Sequence, residues 1–107
     1  MPARTRPDDV FDALADPTRR RIVERLGRAS ATAGELADHL PVTRQAVVKH
    51  LALLESAGLV EGVREGRRVV YTLTPAPFTE AARWMYDVGV AWDRRLERMS
   101  TRFRKSR

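Results

Sequence analysis

The chain has 107 residues, with 20 Lys and Arg against 14 Asp and Glu, a formal charge of +6, and no cysteine. That length supports one domain whose modest core gains from burial against a second copy. The positive balance favours a polyanionic partner, duplex DNA first, over a merely basic surface. Without cysteine, disulfides, thiolate metal sites and cysteine nucleophiles are excluded. No run of about 18 apolar residues occurs and the first residues carry no apolar signal segment, so a cytoplasmic, nucleoid-associated protein without a membrane partner is expected.

Residues 1–7 read as a basic, proline-containing tail. Asp8 and Asp9 then open a first helix carrying Val10, Phe11 and Leu14, with the acids where the N-terminal dipole favours them. Asp16-Pro17 restarts the chain, Asp16 as N-cap and Pro17 at the first helical position, where a missing N–H costs nothing. Ile22, Val23 and Leu26 form the stripe of this second helix, and Gly27 marks its expected end. Arg19, Arg20 and Arg21 resemble a nucleic-acid patch, yet on a helix they point in three directions. A solvated or core-flanking role is the preferred reading, with one of them able to touch a phosphate.

Thr32-Ala33-Gly34-Glu35 has the form of a capping box, each end residue covering the other's N–H, and the helix it opens is expected to bury Leu36, Ala37 and Leu40. Pro41 blocks continuation. Thr43 is placed to cap a further helix over residues 43–58, ending at Ala57-Gly58. At about 100° per residue, Val47, Val48, Leu51 and Leu54 face one way and Gln45, Ala46, Lys49 and Leu53 the other. After Gly58, residues 59–64 and 67–74 are rich in strand formers, with Glu65-Gly66 between them. Val69, Tyr71 and Leu73 alternate to one face, and Arg64, Arg67 and Arg68 gather at the tip. The order is helix-turn-helix followed by a wing, and the expected fold is mostly α with a small β-hairpin.

Pro75-Ala76-Pro77 is expected to break the chain before a long helix. Phe78, Ala81, Ala82, Met85, Val88, Gly89, Trp92, Leu96, Met99 and Phe103 fall within roughly a third of its wheel. A stripe of that length exceeds what a small winged domain needs for its own core. It reads as a homodimer interface centred on Phe78, Met85, Val88, Gly89, Trp92 and Leu96, with Phe11 and Leu14 of the first helix beside it. Gly89 costs about 1 kcal/mol relative to Ala in a helix, which a close-approaching second backbone would explain. The expected division is a tail at 1–7, a DNA-binding domain at 8–76, a dimerisation helix at 77–103 and a basic tail at 104–107.

Several segments together resemble the ArsR/SmtB family. These are Leu14-Ala15-Asp16-Pro17-Thr18-Arg19-Arg20-Arg21-Ile22-Val23, Glu35-Leu36-Ala37, Thr43 through Leu54, Ala57-Gly58-Leu59-Val60 and Gly66 through Leu73. The resemblance spans roughly residues 10–74 and implies a dimeric winged-helix transcriptional regulator, usually a repressor of its own or a neighbouring operon. Many members sense metals through Cys pairs before the recognition helix or Asp/His sets on the last helix. Here the former segment reads Glu35-Leu36-Ala37-Asp38-His39-Leu40 and the last helix has no His, so no metal and no cofactor are expected. His39 and His50 are the only histidines, and packing explains His50 better than ligation. Val48 stands where relatives often carry a small polar residue.

The expected site is therefore double-stranded operator DNA on residues 43–58 and the 59–74 wing. Arg44 and Gln45 lie near base edges, Thr43 and Lys49 on phosphates, Ala46 on the outward edge, and Arg64, Arg67 and Arg68 on the backbone. The competing reading is a winged-helix module for protein–protein interaction. An enzyme is a distant third, since no paired carboxylates or Gly-rich phosphate loop occur. The effector and the operator stay open.

Overall fold

The computed structural model describes residues 6–105. Residues 1–5 and 106–107, parts of the expected tails, lie outside the described residues, as does the side chain of Phe103. The elements are α1 (Pro7–Leu14), α2 (Pro17–Arg28), α3 (Ala33–Asp38), α4 (Arg44–Ser56), β1 (Val60–Glu65), β2 (Arg68–Leu73) and α5 (Pro75–Lys105). This is the expected helix-rich winged architecture.

The joint between α1 and α2 is built by the segment that sequence made ambiguous. The Asp16 carboxylate accepts the Arg19 N–H at 2.9 Å, closing the first turn of α2. Arg19 then reaches back: its Nε donates to the Ala13 carbonyl at 3.0 Å and its Nη2 to the Asp12 carbonyl at 3.3 Å. Arg20 Nη1 donates to the Leu14 carbonyl at 3.0 Å. A helix leaves its last four carbonyls without intrahelical partners, and two arginines here satisfy three of them. Arg19 is thus half-buried at the margin of the core, Arg20 caps α1 from an exposed position, and Arg21 is exposed.

Gly27 does not end α2. The helix continues to Arg28 and leaves through Ala29 in an extended conformation (φ −165°). No left-handed cap is required, because the chain runs straight into a bridge in which Ala31 and Tyr71 exchange both backbone hydrogen bonds, at 3.1 and 2.8 Å. The Thr32 capping box forms as expected. Glu35 N–H donates to Thr32 Oγ1 at 3.1 Å, and Thr32 N–H to Glu35 Oε1 at 3.0 Å. However, α3 stops at Asp38, so Leu40 packs half-buried from the following turn rather than from the helix.

Gly58 does close α4. It takes φ +77°, its N–H donates to Glu55 at 3.0 Å and the Leu59 N–H to Leu54 at 2.9 Å, the paired bonds of a Schellman motif. Leu54 and Leu59, brought together by that motif, are both fully buried. Pro75 and Pro77 do not break the chain. They occupy the first turn of α5, where the missing N–H has no acceptor to lose.

The core joins Val10, Ile22, Leu26, Leu36, Val47, Leu51, Leu54, Leu59 and Ala81 from α1 to α5. Phe11, Leu14 and Phe78 pack at its margin, and the Phe11 ring lies 5.7 Å from Trp84 at 58°. Beyond Ala81 no described side chain of α5 is buried. At 31 residues the helix is about 46 Å long. The radius of gyration of 19.1 Å therefore exceeds the ~13 Å of a compact domain this size.

Two of the caps also lower the pKa of their carboxyls. The Thr32 N–H, then its hydroxyl, hold the Glu35 carboxyl below its ordinary value, and the Arg19 N–H does the same for Asp16. A carboxyl depressed in the folded state stabilises the fold above its unfolded value, and that contribution fades as pH falls through the folded value. Glu35→Gln keeps an acceptor but removes the titration, so the fall in melting temperature between neutral pH and about pH 3 should become shallower. An unchanged acid limb would show that Glu35 is not among its causes.

Candidate nucleic-acid interface

Thr43 Oγ1 accepts the Ala46 N–H at 3.1 Å, so α4 begins at Arg44 with its positive dipole end beside exposed polar side chains. Val47, Leu51 and Leu54 are sealed at 0% exposure. Val48 is not: it is 44% exposed, against the expectation that it shares their face. The buried arc centres on those three residues, and Val48 stands about 100° from Val47, past its edge and one turn after Arg44. Arg44, Gln45, Val48, Lys49 and Ala52 form the exposed arc, while Ala46 is half-buried beside it. Leu53 is exposed on the other flank, in a cleft with Asp9, Asp12 and Arg19.

In the wing, Glu65 pairs with Arg68, so the two-residue turn is Gly66-Arg67, one residue later than expected. Gly66 has φ +64° and Arg67 does not go positive, as a type II′ turn requires. Arg64 Nε donates to the Gly66 carbonyl at 3.4 Å. Arg68 lies 3.9 Å from Glu65 in a pair exposed on both sides. Such a pair is worth little and holds its guanidinium weakly.

The wing is fastened to α4 by residues the sequence did not single out. Glu55 Oε2 accepts the Gly62 N–H at 2.9 Å. A Cβ at Gly62 would stand 3.0 Å from the Tyr71 ring and 3.1 Å from Val69, so any larger residue there would have to push these side chains aside. A glycine inside a strand was the available signal. Behind the wing, Ser30 and Thr72 hydroxyls meet at 2.8 Å.

These attachments leave a groove between the start of α3, α4 and β2. It is lined by Thr32, Gly34, Glu35, Arg44, Val48, Arg67, Arg68, Val69 and Tyr71. The structure thus brings Arg44 together with Arg67 and Arg68, whereas Thr43, Gln45, Lys49 and Arg64 lie outside the lining. Elsewhere, His50 is half-buried with its Nδ1 unpartnered. Among the described residues no group of three or more His, Cys, Asp or Glu is arranged to hold a metal ion. On α5, Met85, Val88, Trp92 and Leu96 are 40–54% exposed, and a Cβ at Gly89 would meet nothing.

A two-helix unit whose second helix starts in basic and amide side chains, flanked by an arginine-tipped hairpin, defines a winged helix-turn-helix DNA-binding protein. A helix-turn-helix domain profile matches residues 14–63. The HTH-type transcriptional regulator Rv2034 of Mycobacterium tuberculosis is 47% identical over 90 residues, covering 84% of this chain and 81% of that one. The transcriptional repressor SdpR of Bacillus subtilis is 32% identical, covering 73% and 87%. Among solved structures, an ArsR-like transcriptional regulator from Rhodococcus sp. RHA1 superposes with a TM-score of 0.73 at 45% identity, covering 87% and 88%. The chain belongs to the ArsR/SmtB family of winged helix-turn-helix regulators and is a sequence-specific DNA-binding transcriptional regulator. That function sets aside the protein–protein interaction module. No helix among the described residues is long and apolar enough to cross a membrane.

Proposed function

We propose that the protein is a homodimeric repressor, acting in the cytoplasm on nucleoid DNA, that covers a palindromic operator without needing a metal and without enzymatic activity. Residues 8–76 form the DNA-binding unit and residues 77–103 the dimerisation helix. Arg44 and Gln45 read base edges in the major groove, since Arg suits guanine and Gln suits adenine. Thr43 and Lys49 meet phosphates, Ala46 lines the approach, and Arg64, Arg67 and Arg68 hold the backbone beside the groove. The observation that carries this reading is that Arg44 of α4 and Arg67 and Arg68 of the wing line one groove.

The exposed stripe of Met85, Val88, Trp92 and Leu96, with open space at Gly89, supports a second copy packed on α5, flanked by Phe11, Leu14 and Phe78. Repression, the function that the name of SdpR states for that relative, follows physically if the bound dimer excludes polymerase. The absence of cysteine leaves thiophilic metals without their preferred ligands in these 107 residues.

The wing supplies affinity rather than sequence choice, because neutralising phosphates is insensitive to base identity. Changing Arg67 and Arg68 to Ala should therefore flatten the slope of log K against log salt by roughly 0.9 for each phosphate left unneutralised, and leave the preferred sequence unaltered. Binding isotherms at graded salt measure this. A slope equal to that of the parent protein would take the wing off the DNA.

A further inference from the structure

Val48 is an anomaly of placement. A β-branched side chain is a poorer helix former than alanine, and this one stands 44% exposed in a helix that has already buried Val47, Leu51 and Leu54. Folding gains little from it there. It lies one turn after Arg44, on the face of α4 turned toward the wing, and lines the groove together with Arg44, Arg67, Arg68 and Val69. Val48, with Val69 and Tyr71, thus forms an apolar strip in a groove that three arginines, Arg44, Arg67 and Arg68, make net positive against the one carboxylate of Glu35.

We propose that Val48 is a specificity-determining residue that recognises the 5-methyl group of a thymine in the major groove. The inference rests on the reading above in which α4 enters that groove. The methyl group is the one apolar feature that base edges present there. Contact with Val48 removes two apolar surfaces from water and leaves no polar group unsatisfied. Cytosine at the same place carries only a hydrogen at C5 and leaves the contact with Val48 unmade. The restricted χ1 of valine in a helix also means that little side-chain freedom is lost on contact.

The test uses the whole chain and a duplex selected by it from a random-sequence pool. Each thymine is replaced in turn by deoxyuridine, which removes the methyl group alone. One thymine in each half-site should prove sensitive, with binding weakened about fourfold per half-site, the scale of one buried methylene. In Val48→Ala the parent duplex should bind more weakly and deoxyuridine at that position should cause no further loss. Val48→Ser removes both γ-methyl groups, offers only a hydroxyl and should also lose the discrimination, so it serves if the alanine variant is not folded. A parent protein indifferent to deoxyuridine at every position would overturn the proposal. So would an equal deoxyuridine penalty in parent and variants. A pool from which no sequence is enriched would instead overturn the major-groove reading beneath it, and the proposal with it.

Discussion

Trp92→Glu is expected to turn the protein into a folded monomer and to weaken operator binding by about 10²–10⁴-fold, the loss that follows when two linked sites must bind separately. Trp92 is 54% exposed at the centre of the α5 stripe and contacts Arg95, whose guanidinium carbon stands 5.3 Å from its ring centroid. It makes no contribution to the core around Leu36, Leu51 and Leu54. In a dimer, each large apolar side chain of the stripe would bury about 1.5–3 kcal/mol of transfer free energy, and a carboxylate there would lose this and be desolvated as well. Sedimentation should report a species near 12.1 kDa with an undiminished helical spectrum. A variant that sediments as a dimer would place the interface elsewhere on the molecule.

Leu51→Ala is expected to cost about 2–5 kcal/mol, because the site is fully buried and cannot collapse without moving α4 against its neighbours. Small domains hold only about 5–15 kcal/mol in all, so the denaturant midpoint should fall by a large fraction while the slope stays constant. The functional consequence runs through the same packing. Val47, Leu51 and Leu54 seat the helix whose other face carries Arg44 and Gln45. A loss below about 1 kcal/mol would mean that the seat of α4 is far less tightly packed than its burial implies.

Local chemistry was legible in the sequence, and long-range packing only partly so. The caps by Asp16, Thr32 and Thr43 and the stop at Gly58 involve residues within a few positions of one another, and all four formed where expected. The order of capped helices, proline turn and glycine-punctuated strands was enough to read the helix-turn-helix and its wing, and the family resemblance agreed with it. Gly27 placed the end of α2 one residue short of Arg28, and the bridge that follows, Ala31 with Tyr71 forty residues away in sequence, left no local signal. Pro75 and Pro77 misled because proline disrupts a helix interior but suits its first turn, and only the fold shows which of the two applies. Val48 lay at the edge of the buried arc, where a helical wheel does not discriminate and the packing of α4 on its neighbours decides. The Glu55–Gly62 attachment is tertiary, and periodicity carries no trace of it.

The central claim is that a two-fold protein inserts two copies of α4 into successive major grooves. Methylation protection on the selected duplex tests it most directly, because dimethyl sulfate attacks guanine N7 on the major-groove edge. Two protected clusters should appear, centred about 10 bp or a whole multiple of that apart, and Arg44→Ala should lose a guanine from each cluster together. Protection confined to one cluster, or guanine N7 reactivity unchanged under saturating protein, would contradict the account.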